Sequence, residues 1–323
     1  MAEELGSIWA EVRLNYSKYD EGVAHVVRQN KWLDEEMQRT VQRLASRWEG
    51  LGGRMSVAAT APLTMLGRQW LNTFADFQQA MANTQSVMGA TVEELEALTA
   101  AARKAGEETV FKASQAADAL YNLGQAGMDA SQAIDALDGV LTLAVASQSE
   151  LAFTAEVVVS TLNQFGLAAN EASRVANVFA AANAESLAEL DMLAASLKNA
   201  GPVAATFGYS LEETVAALMA LYNAGFQGEQ AGNMLKRAIS DLANPVGDAV
   251  NVLSELGLTV RDVHPELNSL ADIIDTLNAA GIDSTQSLRL FGQVAGPGMI
   301  TLLNQGGEAL RQYTESITGT NKA

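Results

Sequence analysis

The sequence predicts an all-α protein of many short, Ala-rich helices in a helix-turn-helix array, preceded by a small arm with a strand and a long helix. Apolar residues make up 48% of the 323 residues and aromatic residues only 6%, which indicates a core of small side chains. Ala has the highest helix propensity, and apolar positions recur at helical spacing. Residue types that cap helices stand at the starts of these stretches.

The first predicted element is a short strand near the N-terminus. Ile8, Ala10, Val12 and Leu14 would share one side of an extended chain. A single strand is not stable alone, so this stretch indicates association or pairing with another short strand.

A long helix is predicted over residues 19–50, and its second half carries an apolar seam. The seam has steps of four and three residues, which is the spacing of a coiled coil over about two heptads. It consists of Met37, Val41, Leu44, Trp48 and Leu51. Either the helix self-associates through this seam, or it is an amphipathic helix that packs on its own domain. Self-association is the working hypothesis.

Three regions follow from these patterns. Residues 1–54 form the arm with the strand and the amphipathic or coiled-coil helix, which the glycines at positions 50, 52 and 53 end. Residues 55–73 are a connecting segment that leads into the core. Residues 74–323 form the helical core.

Helix starts in the core are indicated by capping residues. Thr91 with Glu94 and Ser210 with Glu213 have the capping-box pattern. Further starts are predicted near Ser114, Ser131, Asn170, Ser186, Ser284, Pro202 and Pro245. About eleven helices of roughly 10–16 residues are expected after Pro62. As an exception, residues 258–261 predict a small strand.

One turn recurs in residues 126–133, 224–231 and 280–287. In each copy a Gly would end a helix in the left-handed conformation, and the next, apolar residue would pack back on that helix. Polar residues then follow that can cap the next helix. Because the gaps between copies are unequal, the pattern predicts one helix-turn-helix unit used three times, not a solenoid.

The net charge argues against nucleic-acid binding. The formal net charge is −18, and residues 55–323 carry twelve Lys or Arg against twenty-nine Asp or Glu. Such a chain repels phosphate backbones, so no specific nucleic-acid binding is expected. Arg39, Arg43 and Arg47 lie four residues apart, as a solvated helix face or a contact to an acidic partner.

Compartment and membrane signals are sparse. The chain has no Cys, which excludes disulfides, thiolate catalysis and Cys-based metal sites. The acidic N-terminus lacks the apolar region of a signal peptide. No charge-free apolar run reaches the ~18–20 residues of a membrane span, so no span is expected.

Five stretches carry a family resemblance through their order and spacing rather than singly. They are FADFQQAMANTQSVMGATVEELEALTAAARKAGEET, ASQAADALYNLGQAGMDASQAIDALDGVLTLA, LNQFGLAANEASRVANVFAAA, LKNAGPVAATFGYSLEETVAALMALYNAGFQGEQAGNMLKRAI and LADIIDTLNAAGIDSTQSLRLFGQVAGPGMITLLNQG. Together they resemble the core region of phage tail tape measure proteins. The resemblance covers about three quarters of the chain, from about Phe74 onward.

The resemblance implies a structural protein of the virion tail. Tape measure proteins lie along the lumen of the growing tube, set tail length and nucleate tube assembly from the tip complex. The implied partners are further copies of the chain, tail tube and tail-tip or baseplate hub proteins, and tail assembly chaperones in the host cytoplasm. Members usually continue well beyond this core, so a fragment or an unusually short member is expected.

The alternative function is a membrane-active or wall-degrading helical protein that acts at genome or effector delivery. Some tape measure chains resemble lytic transglycosylases, in which a Glu before a Ser is the general acid. Glu185-Ser186 and Glu315-Ser316 are such dipeptides, but Ser186 fits a helix cap better. His264 precedes Pro265-Glu266 as in zinc deaminases, yet the required Cys pair is missing, so a turn is predicted there.

No catalytic, cofactor-binding or metal-binding residue is therefore predicted, and we expect no enzyme activity. Gly296-Pro297-Gly298 is interpreted as a helix-breaking turn rather than part of a nucleotide-binding loop.

Overall fold

The computed structural model describes residues 74–319, and this part of the chain consists of helices and turns. Helix α1 occupies residues 74–88. Twelve α-helices follow: α2 Val92–Glu108, α3 Ala113–Gln125, α4 Ala130–Ala146, α5 Leu151–Phe165, α6 Ala172–Glu185, α7 Leu190–Thr206, α8 Leu211–Asn223, α9 Gly228–Ala243, α10 Asp248–Glu255, α11 Leu270–Ala279, α12 Ser284–Gln305 and α13 Gly307–Ile317. Two 3₁₀ turns lie at Ala169–Glu171 and Val260–Val263. The predicted all-α class is confirmed for this part of the chain.

The helices form two rows, because most of them pack against the helix two places further along the chain. One row runs α3, α5, α7, α9 and α12, and the other runs α2, α4, α6, α8 and α13. Helix α1 joins the first row, since the Thr84 hydroxyl donates to the Ala117 carbonyl of α3 at 3.1 Å. The apolar core lies between and within these rows.

Small residues let the rows pack closely. At the crossing of α7 and α9, a Cβ added to Gly232 would lie 2.6 Å from the Cα of Ser196. Added Cβ atoms would also meet neighbouring helices at Gly106, Gly124, Gly139 and Gly201. Gly at these crossings and the many Ala residues of the buried core therefore allow close helix contacts, as the small-residue composition predicted.

Seven helices within residues 74–319 end in the same type of turn. In each turn a Gly with positive φ is followed by a residue that folds back onto the helix that has just ended. The glycines are Gly89, Gly127, Gly166, Gly208, Gly225, Gly257 and Gly281. After each Gly, the next N–H donates to the carbonyl five residues before it, as from Met128 to Leu123 at 3.4 Å. This bond defines the Schellman motif, and its left-handed residue is favourable only for Gly. The three predicted turns are confirmed, and four more share their geometry.

The same turn also starts the next helix. Five residues after each of these glycines stands a Glu, Gln or Asp: Glu94, Gln132, Glu171, Glu213, Gln230, Asp262 and Gln286. Thr91, Asp129, Ser210, Thr259 and Asp283 form capping boxes with their partner three residues later. In five of the seven turns, the pattern Gly-apolar-cap-x-x-acid or amide therefore ends one helix and caps the next helix or 3₁₀ turn within six residues.

The spacing of this turn corrects the expectation that unequal gaps exclude a solenoid. From Gly89 to Gly127, Gly166 and Gly208 the intervals are 38, 39 and 42 residues, and each interval holds one helical hairpin. These hairpins stack through contacts between successive copies, as in helical repeat proteins. After Gly208 the intervals become 17, 32 and 24, so the regularity stops there.

Several predictions of local structure are wrong. Residues 258–261 are not a strand, because Gly257 and Leu258 complete a Schellman turn and Thr259 caps a 3₁₀ turn. Gly296-Pro297-Gly298 lies inside α12, and the break in that helix is at Gly292, whose φ of 65° and ψ of −170° are open essentially to Gly alone.

The predicted cap positions need similar correction. Helices α3, α4 and α12 begin after Lys112, Asp129 and Asp283, one or two residues before the predicted Ser114, Ser131 and Ser284. Helix α7 begins after Glu189, three residues beyond the predicted Ser186. Asn170 lies within the 3₁₀ turn that precedes α6. Ser186 ends α6 instead, and its hydroxyl donates to the Ala182 carbonyl at 2.7 Å. Pro202 lies inside α7 rather than in a first turn, and Pro245 precedes α10.

Candidate interaction surface

The residues predicted to mediate self-association lie outside the described part of the chain. These are Met37, Val41, Leu44, Trp48 and Leu51, together with the predicted strand and long helix of the arm. Their role stays a prediction, as does the division of the chain at residues 54 and 74. The candidate surface of the described part must therefore be found in the hairpin array and in the helices after it.

The hairpin array, defined as α2–α9, carries charge that its own residues do not neutralise. Between Lys112 and Arg174 the sequence contains no Lys or Arg and seven Asp or Glu. Of the ion pairs within the described residues of the array, only Arg174 with Glu212 joins two α-helices, α6 and α8. Glu212 is largely buried, and Arg174 also pairs with Glu171. The remaining surface of α3–α5 is acidic.

Instead of ion pairs, a buried polar network fixes the middle of the array. The Tyr222 hydroxyl lies 2.7 Å from the Ser196 Oγ and 3.1 Å from the Met192 carbonyl, and Ser196 donates to the Gly228 carbonyl. Burial raises the pKa of Tyr222, so the phenol stays protonated and can donate. These bonds hold α7, α8 and α9 in one register.

The C-terminal region, defined as α10–α13, is held differently. The Arg289 guanidinium of α12 binds Asp248 at 2.8 Å and Glu255 at 2.9 Å, both on α10. Hydrogen bonds from Arg289 hold the pKa of these two carboxyls below their ordinary range. The region therefore fixes its helices through two-pronged ion pairs at its surface.

A second Arg that binds two carboxylates joins α13 to α11; each of these two-pronged ion pairs is called an Arg clip below. Arg311 binds Asp272 at 2.7 Å and Asp275 at 2.8 Å, and Asp275 also accepts from the Gly307 N–H at 2.9 Å. The pKa of Asp272 is lowered by its hydrogen bonds from Ser269 and Arg311. Asp275 thus satisfies the N-terminus of α13 from a neighbouring helix.

The residues considered as catalytic candidates lie in helices or turns, and hydrogen bonds to neighbouring backbone involve His264 and Ser316. His264 ends the second 3₁₀ turn, where its Nδ1 accepts from the Glu266 N–H at 3.3 Å and its ring meets Phe207 edge-on. Glu185 is the last residue of α6, not the residue before a helix as predicted. Glu315-Ser316 lies within α13, and the Ser316 hydroxyl donates to the Tyr313 carbonyl at 2.9 Å.

Two features are absent from residues 74–319. No helix there is both long and apolar enough to cross a bilayer. No group of three or more His, Asp or Glu side chains there is arranged to hold a metal ion.

Three successive hairpin turns lie side by side on the array. The α4–α5 turn and the α6–α7 turn line one cleft, and the Leu187 N–H of the latter donates to Asn223 at the end of α8 at 3.2 Å. Leu187 is 61% exposed and Val145, beside the α4–α5 turn, is 49% exposed. Large apolar side chains lie here near Glu150, Glu189 and Asp191, which form no ion pair among the described residues. This side is therefore the candidate surface for a partner.

Comparison with known proteins decides the family. A family model described as "Phage-related minor tail protein" matches residues 99–296, from α2 into α12 and more than half of the chain. The chain belongs to the phage-related minor tail protein family. Within this family, the stacked hairpins and most of the C-terminal region fall inside the matched range.

Two relatives extend the match beyond the family model. The chain is 35% identical to the "Tape measure protein" of Pneumococcus phage Dp-1 over 326 aligned positions, which cover 99% of this chain and 28% of that protein. It is 28% identical to the "Probable tape measure protein" of Escherichia phage P2 over 230 residues, 71% of this chain and 28% of that protein. No solved structure matches the chain significantly. The resemblance to tape measure proteins is confirmed, and the chain spans about 28% of these relatives' length.

Two features of the surface were not predicted, the acidic run and the Arg clips, although both can be traced in the sequence. The cation-free run from residue 113 to 173 can be read directly from the sequence. The clips of Arg289 and Arg311 leave a weaker signal, because their partners lie 34–41 residues away on other helices. Pairing at such distances becomes visible only when the fold brings α10 to α12 and α11 to α13.

Proposed function

We propose that this chain is a structural component of a phage or phage-like tail, of the tape measure type. It scaffolds tail tube assembly and contributes to length control through self-association and contacts at the tail tip. The observation that carries the proposal is the 35% identity to a tape measure protein along 99% of this chain. Neither a membrane-active nor a wall-degrading function finds support among these relatives.

The packing of the array supports a docking role rather than a ruler role for residues 74–319. A hairpin of about 40 residues advances a helical array by about one interhelical distance, 8–10 Å. The same residues in one straight helix would span about 60 Å, at 1.5 Å per residue. As folded, the array therefore contributes little length per residue, and it offers a broad surface to partners.

The proposed partners are tail tube proteins, tail-tip or baseplate hub proteins and, before assembly, tail assembly chaperones. The proposed location is the tube lumen or tip in the virion, and the host cytoplasm during assembly. The chain acts there without enzyme activity, a cofactor or specific nucleic-acid binding. The acidic surface of α3–α5 favours positively charged protein partners over nucleic acid.

Electron microscopy of particles assembled with and without this gene product tests the function. Loss of tails, or tails of irregular length, is expected without it. Normal tails in its absence would contradict the proposal and leave delivery, rather than assembly, as the role to examine.

The self-association step has its own test in the full chain. Replacing Val41 and Leu44 by Asp should lower the mass measured by light scattering, because the apolar seam is lost. The matched control replaces Gln42 and Ser46 by Asp, which adds the same charge at heptad positions b and f, away from the seam. An unchanged mass in the Val41→Asp/Leu44→Asp variant would remove the seam from the mechanism.

A further inference from the structure

A cleft of about 670 Å³ lies between the α4–α5 turn and the α6–α7 turn. Its lining comes from residues 146–150 and Phe153 on one side, and from Asn183 and residues 189–191 on the other. All of these belong to two successive hairpins, so the stacking of the array creates the cleft. Its size is in the range of clefts that hold a ligand rather than a single water or ion.

The lining combines an aromatic wall with an acidic rim. Phe153 is half-buried, and Leu190 beside it is buried. Glu150, Glu189 and Asp191 are exposed, and no Lys, Arg or His lines the cleft. Among the ion pairs of the described residues, none involves these three carboxylates. The negative charge of the rim is therefore available to a partner.

Backbone and side-chain hydrogen bonds hold both walls. Of the rim carboxylates, Asp191 accepts from the Met192 N–H at 2.8 Å through one of its two oxygens. The Asn183 amide donates to the Ala188 carbonyl at 3.0 Å, and the Ser147 hydroxyl donates to the Leu143 carbonyl at 2.7 Å. The Thr154 hydroxyl donates to the Glu150 carbonyl at 2.9 Å, which fixes the start of α5. The cleft is thus formed before a partner arrives, which lowers the entropy lost on binding.

The chemistry of this lining selects the kind of ligand. The carboxylates are not grouped as a metal site, since no three acidic or His side chains among the described residues converge on one point. Separated carboxylates around an aromatic wall instead match a guanidinium or ammonium group on an aliphatic stem. The exposed Leu187 and Val145 beside the cleft would contact apolar side chains that flank the cation.

We propose that this cleft is a docking site for a polypeptide segment that carries an Arg or Lys flanked by apolar side chains. The aliphatic stem lies on Phe153, and the charged head pairs with a carboxylate of the rim formed by Glu150, Glu189 and Asp191. The inference goes beyond the proposed function, since the cleft binds such a segment whatever the assembly contains.

The first test uses the full chain and two fluorescent probe peptides, Gly-Ser-Leu-Leu-Arg-Leu-Leu-Ser-Gly and the same peptide with Gln in place of Arg. A photoreactive group at the last Leu reports where the peptide binds. The Arg peptide should bind, and its cross-links should fall on residues 146–153 and 183–191. The Gln peptide should bind at least about tenfold more weakly, because it cannot pair with the rim. No binding of the Arg peptide, equal binding of both, or cross-links elsewhere would overturn the proposal.

The second test separates the cleft from the general acidity of the chain. The variant E150Q/E189Q/D191N removes the rim charge, and the control E93Q/E96Q/D135N removes three exposed charges elsewhere. The rim variant should weaken the Arg peptide at least about fivefold, and the control should leave it within about twofold at 0.15 M salt. Equal weakening in both variants would show non-specific attraction and contradict a site. Thermal melts of both variants check that each is folded, and the peptide comparison on the unaltered chain stands whatever they show.

Discussion

The hairpin array and the C-terminal region of this chain solve the same packing problem by different means. In the array, helices α2–α9 approach closely over Gly and Ala, and a single ion pair joins two of its α-helices among the described residues. In α10–α13, Arg289 and Arg311 each bridge two carboxylates of a neighbouring helix. The comparison shows that stacked repeats rely on shape, whereas the irregular end of the stack relies on surface charge.

The difference follows from how much each helix can bury. Helices inside the array have neighbours in both rows, so small apolar side chains suffice to exclude water. Helices α10 and α11 are only eight and ten residues long. Their apolar faces are correspondingly small, and the Arg clips supply the missing specificity of contact. Polar outer surfaces are usual at the ends of repeat arrays.

The largest loss of stability is expected where close packing holds two helices together, at the contact of α7 with α9. In Gly232→Val, the new side chain would collide with the backbone of Ser196 and force the two helices apart. We expect a loss of about 3 kcal/mol in the free energy of unfolding, measured by urea denaturation. The control Glu229→Ala, exposed on the same helix, should change it by less than about 0.5 kcal/mol. A Gly232→Val variant as stable as the control would show that close packing is not what holds the array.

The buried network at the same crossing should have the next largest effect. Ser196→Ala leaves the Gly228 carbonyl without its donor and the Tyr222 hydroxyl with only the Met192 carbonyl. A loss of about 1–3 kcal/mol in unfolding free energy is expected. Ser173→Ala is the matched control, because the Ser173 hydroxyl is exposed and makes only a 3.4 Å contact to the Asp135 carbonyl. Equal losses in both variants would argue against a special role for the buried network.

In the C-terminal region, ion pairs rather than close packing should contribute most to how the helices are held together. Arg289→Gln removes both ion pairs to α10 and should lower the melting temperature at low salt, as followed by circular dichroism. The deficit should shrink toward about 1 M salt, where the Debye length is only about 3 Å. Lys198→Gln makes the same change in charge and controls for net charge, because the exposed Lys198 forms no ion pair among the described residues. A deficit independent of salt would mean that Arg289 acts through packing.

The smallest effect concerns the turn chemistry of the array. After α4, the left-handed position of a Schellman-like turn is occupied by Gln148 with φ of 54°, where the other seven turns have Gly. Gln148→Gly should raise the free energy of unfolding by up to about 1 kcal/mol by removing this strain. The reverse change, Gly127→Gln, should lower it by a similar amount. A destabilised Gln148→Gly variant would show that the Gln side chain makes a contribution larger than the strain.

Turn chemistry also shows how far the sequence predicts this fold. Thr91, Ser210 and the three recurring Gly turns were predictable, because caps and C-terminal glycines act over a few residues. The break at Gly292 was not, since nearby Gly296-Pro297-Gly298 gives a stronger local signal and yet stays helical, with Leu221 and Met234 packed close to Gly298. Pro202 inside α7 is a second residue whose local preference for a helix start or end does not match its place in the fold.

The candidate surface was less predictable than the fold. The acidic run of residues 113–173 is visible in the sequence, but the cleft between Gln148 and Glu189 exists only because successive hairpins stack. The self-association seam from Met37 to Leu51 remains a prediction from heptad spacing alone.

Acidification should change the stability of the two regions in opposite directions. Asp248, Glu255 and Asp272 have pKa values lowered by their hydrogen bonds, so they stabilise the fold above the ordinary values of 3.8 and 4.5, and this contribution is lost as the pH falls through the lowered values. Burial raises the pKa of Asp118 in α3, so protonation on acidification relieves a cost. Acid should therefore weaken α10–α13 while it spares or strengthens α3–α5.

Hydrogen exchange at pH 6 and at about pH 3.5, corrected for the intrinsic rates, tests this difference most directly. The account predicts that the free energy of opening falls in α10–α13 and is kept or raised in α3–α5. It also predicts that Arg289→Gln combined with Arg311→Gln removes most of the acid effect in α10–α13. A fall that is equal in both regions, or larger in α3–α5, would contradict the claim that shape holds the array and charge holds its end.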